Sequence, residues 1–180
     1  MVQIRTMVSA VSADAYAFKE QVETMFRKMR RSKQQLSEDE TDEILNRHTS
    51  GVLAVHGEDG YPYTIPISYT FKDDHIYFHS ANEGHKIDAI RNYDKVSFCV
   101  IDQDDVIQET FTTRYRSVIV FGRAHIITDS LLRKKALESL VEKYSPDFLE
   151  KGQQEILQAW DHVTVIDLKI EHKTGKTSSR

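Results

Sequence analysis

The stretch Phe78-His79-Ser80-Ala81-Asn82-Glu83-Gly84-His85-Lys86-Ile87-Asp88-Ala89-Ile90 joins two kinds of local structure. Upstream, Asp74-His75-Ile76-Tyr77-Phe78 is rich in β-branched and aromatic residues and reads as a strand. Downstream, Ile87 and Ile90 with polar residues between them predict a helix with one apolar side. The turn between carries Ser80, Gly84, His85 and Lys86. A helix start offers unbonded N–H groups and partial positive charge, and Lys86 adds a full unit, so such a turn can hold a phosphate. A solvated strand–helix connection would use the same residues, and the rest of the chain decides between the two.

A chain of 180 residues fits one domain with room for an appendage, and can bury a core without disulfides or structural metal. With 39% hydrophobic and 29% charged residues the composition is that of a soluble globular protein. The net charge of −4 argues against bulk electrostatic attachment to nucleic acid. No apolar run reaches membrane-spanning length, and the N-terminus lacks a secretory core, so a cytoplasmic protein without membrane partners is expected. The single cysteine, Cys99, lies in the apolar run 96–101 and reads as a small buried hydrophobe.

From the N-terminus, Phe18, Val22, Met25, Phe26 and Met29 predict a helix over Ser12–Met29, with a basic cluster at its end. Residues 1–35 thus read as a helical extension, 36–176 as the main domain and 177–180 as a polar tail. Ser37 and Glu40 form a capping box for a helix running to about Arg47. Strands follow at 52–55, 61–71 and 74–80, the first two joined by the turn Glu58-Asp59-Gly60. Pro62 and Pro66 place the second at an edge or bulge, where backbone groups are free for a ligand. A buried strand is expected at 96–101, an acidic loop at 102–105 and a long strand at 112–127. Thr128-Asp129-Ser130 caps a helix with Leu132, Ala136, Leu137, Leu140 and Val141 inward. Ser145-Pro146 opens a further helical stretch to Trp160, with Gly152 a weak point. Val163–Ile170 alternates as a final strand, and 173–180 reads as a frayed tail. About six strands in short antiparallel connections, with helices before, between and after, predict a mainly β fold: a closed or partly closed β-barrel flanked by helices.

Several segments, taken in order, resemble the FMN-binding split-barrel superfamily typified by pyridoxamine 5′-phosphate oxidase, in its nitroimidazole-resistance branch. They are Met29-Arg30-Arg31, Gly51-Val52-Leu53, Tyr63–Tyr69, Phe78–Lys86, Tyr115–Ala124 and Thr174-Gly175-Lys176. The resemblance implies an antiparallel split barrel and a homodimer with FMN at the subunit interface. Ser80 stands where the family places a Ser or Thr on the flavin side of its strand, and Lys86 where a lysine holds the FMN phosphate. Arg116 carries over as a phosphate or substrate contact. Its neighbour Ser117 replaces a glutamine that touches the ring, and Gly84-His85 replaces a Ser-Arg pair. These departures argue against pyridoxamine-phosphate oxidation itself.

The expected function is therefore that of an FMN-dependent oxidoreductase in which NAD(P)H or another donor reduces the flavin and the flavin reduces a small acceptor such as a nitroaromatic. The cofactor contacts implied are Pro66, Ile67, Ser68 and Tyr69 at the ring edge, His79, Ser80 and Ala81 on the following strand, Lys86 on the phosphate, and Arg116 and Ser117. His79 and His85 are the candidate proton donors, since histidine titrates near neutrality. A non-catalytic flavin or haem binder is the alternative. A zinc site from His75, His79 and His85 lacks a further ligand at telling spacing, so no metal is expected.

Overall fold

The computed structural model describes residues 26–178. The chain divides into two compact units, residues 1–32 and 33–180, and the described strands and α-helices all belong to the second. Most of the helix expected over Ser12–Met29 lies outside the described residues; its last four, 26–29, are not helical.

Among the described residues seven strands make one antiparallel sheet: β1 Ser50–His56, β2 Pro62–Ser68, β3 Thr70–Lys72, β4 His75–Ala81, β5 Lys95–Ile107, β6 Thr112–Ile126 and β7 Val163–Thr177. Their order across the sheet is β2-β1-β5-β6-β7-β4-β3. The outermost strands, β2 and β3, are separated in the chain by Tyr69 alone. One segment therefore carries both edges of the sheet, which must curl until those edges meet. This closure is the expected split barrel. It corrects the reading of 61–71 as one strand: the segment pairs with β1 on one side and with β4 on the other.

Tyr69 makes the switch possible. It is fully buried, packs edge-on against Phe98 and donates its hydroxyl to the Leu45 carbonyl. Its backbone N–H donates to the Tyr144 hydroxyl, which also reaches the carbonyls of Tyr69 and Thr49. Polar backbone that leaves a ladder needs such partners. The barrel interior is apolar, with Leu53, Ile76, Phe78, Phe98, Val118 and Leu168 at its centre.

Among the described residues four α-helices flank the barrel: α1 Glu38–Arg47, α2 His85–Asn92, α3 Ser130–Tyr144 and α4 Leu149–Ala159. The capping box is present at α1, and Asp129 caps α3 by accepting from the Leu132 N–H. Helices α3 and α4 share a second apolar cluster with Val165 on the outer face of the sheet. Gly152, expected to weaken α4, lets it approach α3: a Cβ there would stand 2.3 Å from a Val141 methyl.

Two polar segments read as irregular are strand. Residues 102–105 continue β5 past a bulge between Ile101 and Gln103, with Asp102 as the extra residue. The Asp102 side chain is only 4% exposed and receives hydrogen bonds from Arg47 and His48, the latter at 2.6 Å. Burial alone would raise its pKa, but these bonds hold it below the usual carboxylate range. Likewise 173–177 is not frayed but the second half of β7. Lys173 Nζ lies 2.6 Å from both Asp42 and Asp74, and Gly175 accepts from the Leu36 N–H.

Candidate functional site

The strand–turn–helix of 78–90 forms as expected, with β4 ending at Ala81 and α2 beginning at His85. Gly84 is the N-cap at φ 129°, a conformation that favours glycine, and offers no side-chain cap. The Ile87 and Asp88 N–H groups return to the Gly84 carbonyl. Those of His85 and Lys86 are left among the helix-start donors that have no partner within the helix. Ser80 is 7% exposed, and Lys86 Nζ donates to its hydroxyl at 2.8 Å. A cation bonded to a hydroxyl thus stands on the first turn of a helix without a side-chain cap, a donor set suited to a phosphate monoester.

Strand alternation puts His79 on the face opposite Ser80. Its ring is pushed to a lower pKa, first by burial and then by the Lys86 charge, so it is neutral at pH 7. His85 instead stacks on Tyr63, with ring centroids 4.2 Å apart and planes 13° from parallel. His75 pairs with Asp167 at 2.6 Å. The three histidines do not converge, and among the described residues no group of three or more His, Cys, Asp or Glu could hold a metal.

On β2, Pro66 and Ser68 are exposed and Ile67 packs against the core. β2 is an edge strand, as its prolines require. The backbone of Tyr69 is bonded to Tyr144 and its side chain faces the core. Ala81, at the exposed end of β4, pairs with Val163.

Arg116 and Ser117 lie elsewhere. Ser80 is level with Thr164 at one end of β7, and Arg116 with Thr177 at the other. At about 3.3 Å per residue these positions are roughly 40 Å apart along the strand. Arg116 makes ion pairs with Glu40 at 3.5 Å and Asp102 at 3.8 Å. One chain therefore brings together Ser80 and Lys86 beside His79, but not the Arg116–Ser117 pair.

A feature without a sequence signal is a cavity of about 360 Å³ between the α3–α4 hairpin and the barrel. Ser68 and His79 form part of its wall, and Tyr144, Glu155 and Ile156 are among its other residues. Only the folded packing of α3 and α4 on the sheet brings these positions together.

Residues 37–177 match the family model described as pyridoxamine 5′-phosphate oxidase, and the chain belongs to that family. No curated protein matches it by sequence. Among solved structures it resembles a Bacteroides thetaiotaomicron protein named for 5-nitroimidazole antibiotic resistance, at 19% identity and a TM-score of 0.67, over 79% of this chain and 86% of that one. It is also similar to a flavocytochrome from Azotobacter vinelandii, with 20% identity, a TM-score of 0.70, and 86% and 73% of the two chains covered. A FAD-binding protein from Mesorhizobium loti matches at 27% identity, with a TM-score of 0.57, over 81% of this chain and 97% of that one.

Proposed function

We propose that this protein is an FMN-binding flavoprotein that reduces a small acceptor such as a nitroaromatic, and that it works as a homodimer with cofactor at the subunit interface. The observation that carries the reading is the Lys86–Ser80 hydrogen bond at the uncapped start of α2. Family membership supports it, as do solved structures named for flavin binding or nitroimidazole resistance. Lys86, Ser80 and the first-turn N–H groups would hold the phosphate. The exposed β2 edge at Pro66–Ser68 and the end of β4 at His79–Ala81 would border the ring. When bound, a flavin accepts an electron pair and passes electrons on singly or in pairs.

The neutral His79 imidazole can donate an N–H hydrogen bond to an acceptor, or relay a proton to it, without adding a charge. His85, stacked on Tyr63, would be the second candidate proton donor. The roughly 40 Å of strand between Ser80 and Arg116 suits a site completed across a two-fold axis. Each subunit would supply Lys86 to one cofactor and Arg116–Ser117 to the other.

The test is an FMN titration of the purified full chain, followed by anaerobic addition of NADPH. A flavin spectrum that bleaches supports the reductase reading with that donor. Flavin uptake with no bleaching by NADPH, and no oxidation of chemically reduced flavin by a nitroaromatic, would leave a carrier. The flavocytochrome likeness makes haem the second reading, which a Soret band on haem addition would favour.

A further inference from the structure

We propose that the cavity between the α3–α4 hairpin and the barrel is the acceptor pocket, and that it selects neutral, apolar ring compounds over anions. Its role as acceptor site rests on the flavin reading above; its selectivity does not.

Position comes first. Ser68 and His79 lie in the cavity wall, and both also border the proposed ring position. His79 is the chain neighbour of Ser80, whose hydroxyl holds Lys86. The cavity and the Lys86–Ser80 pair thus lie on opposite faces of β4, one residue apart along it, and Ser68 and His79 are the cavity's link to the proposed ring position. The volume, about 360 Å³, falls near the lower end of the range for small-ligand pockets. Leu137, Leu140, Val141 and Ile156 make the helical side apolar.

Charge then sets the class of ligand. Among the described residues that line the cavity, Glu155 is a carboxylate and none is lysine or arginine. His79 adds no positive charge at neutral pH. An anion entering here would give up hydration with no cation in the lining and meet Glu155, the Lys86 charge reaching the wall only through His79, whereas a neutral ring gives up little. A second hollow of about 430 Å³ shares Val141, Ser145, Gly152 and Glu155 and adds Phe148 and Lys151. Its lysine is one helical turn from Glu155, so the outer hollow carries both signs and no net pull on anions. Phosphorylated compounds, which demand clustered cations, are the ligands this lining is least suited to hold.

The test uses two rings of nearly the same shape, 4-fluorobenzamide and 4-fluorobenzoate, titrated into the full chain with and without FMN and followed by fluorine NMR. The neutral amide is expected to bind in both states and to shift the His79 ring resonances. The benzoate should bind at least about tenfold more weakly. Glu155→Gln should narrow that gap, and Ala159→Phe, which fills the cavity, should remove amide binding while FMN uptake persists. Equal affinity for the two rings would overturn the selectivity. Amide binding that leaves His79 unmoved would overturn the cavity as the binding site, a measurement that needs no variant to fold. Amide binding abolished by FMN would make the cavity part of the cofactor site and overturn its role as acceptor pocket. A chain that binds the amide but takes up no FMN would refute the flavin reading and leave the selective pocket standing.

Discussion

Lys86→Ala is the sharpest perturbation of the proposed cofactor site. Lys86 Nζ lies 2.8 Å from the Ser80 hydroxyl, so cation and hydroxyl would meet the same phosphate. A hydrogen bond to a charged group contributes about 1.5–3 kcal/mol. Each 1.4 kcal/mol is a factor of ten in affinity, so the variant should bind FMN roughly 10–150-fold more weakly. Riboflavin keeps the ring and lacks the phosphate, and its affinity should stay within about twofold, since Lys86 contributes through the phosphate alone. Both constants can be read from quenching of flavin fluorescence on titration with protein. The ammonium is on the first turn of α2, away from the packed Ile87 and Ile90, so the variant should fold. Unchanged FMN affinity would refute the phosphate role. Equal losses for FMN and riboflavin would move Lys86 from the phosphate to the ring.

Lys143 sits over the Tyr69 ring, 4.3 Å from its centroid, with a buried ammonium lacking a hydrogen-bond partner, and burial pulls its pKa down to about 8. At about 1.4 kcal/mol per unit the full shift would cost roughly 3 kcal/mol at neutral pH; solvent near the side chain reduces this to about 1–2 kcal/mol. Below pH 8 both states are protonated and the cost is complete, and it fades as pH rises toward 10.5. Lys143→Met should therefore stabilise the protein in urea at pH 7 and lose that advantage by about pH 10; destabilisation at pH 7 would contradict this account. Tyr144→Phe removes the hydroxyl that holds the β2–β3 switch and should cost about 1–3 kcal/mol, again by urea unfolding. His79, with its native pKa lowered, should make stability fall as pH drops from about 6.5 through that lower value, because the unfolded chain takes the proton first. His79→Gln should flatten that segment of the profile. In Lys86→Ala the His79 titration seen by NMR should move upward, as one of the two causes of its shift is gone.

Short-range chemistry made much of this protein readable. The Ser37–Glu40 box and the Asp129 cap depend on residues three apart, and both form. The turn at 81–84 depends on a strand pattern meeting a helix pattern around Gly84. The alternation of β1 and β4 gave strands with one buried face, and the resemblance across ordered segments gave the barrel family. Polar strand segments escaped the same reasoning. Residues 102–105 and 173–177 have loop composition, yet they are strand because neighbouring backbone pairs with them. Their charges also find partners far away in the chain: Asp102 finds Arg47, and Lys173 finds Asp74.

By itself the sequence determined the order of most elements and the phosphate-suited turn, since these follow from local periodicity and a few residues of chain; the roles of Ser80 and Lys86 came with the family resemblance, and their hydrogen bond with the fold. Only the tertiary structure decided that 61–71 splits between two sheet edges, that Arg116 lies far from Lys86 within one chain, and that His79 and Ser68 wall a cavity with Glu155. Those outcomes depend on how a curled sheet brings distant registers together or apart, which no local pattern of residues encodes.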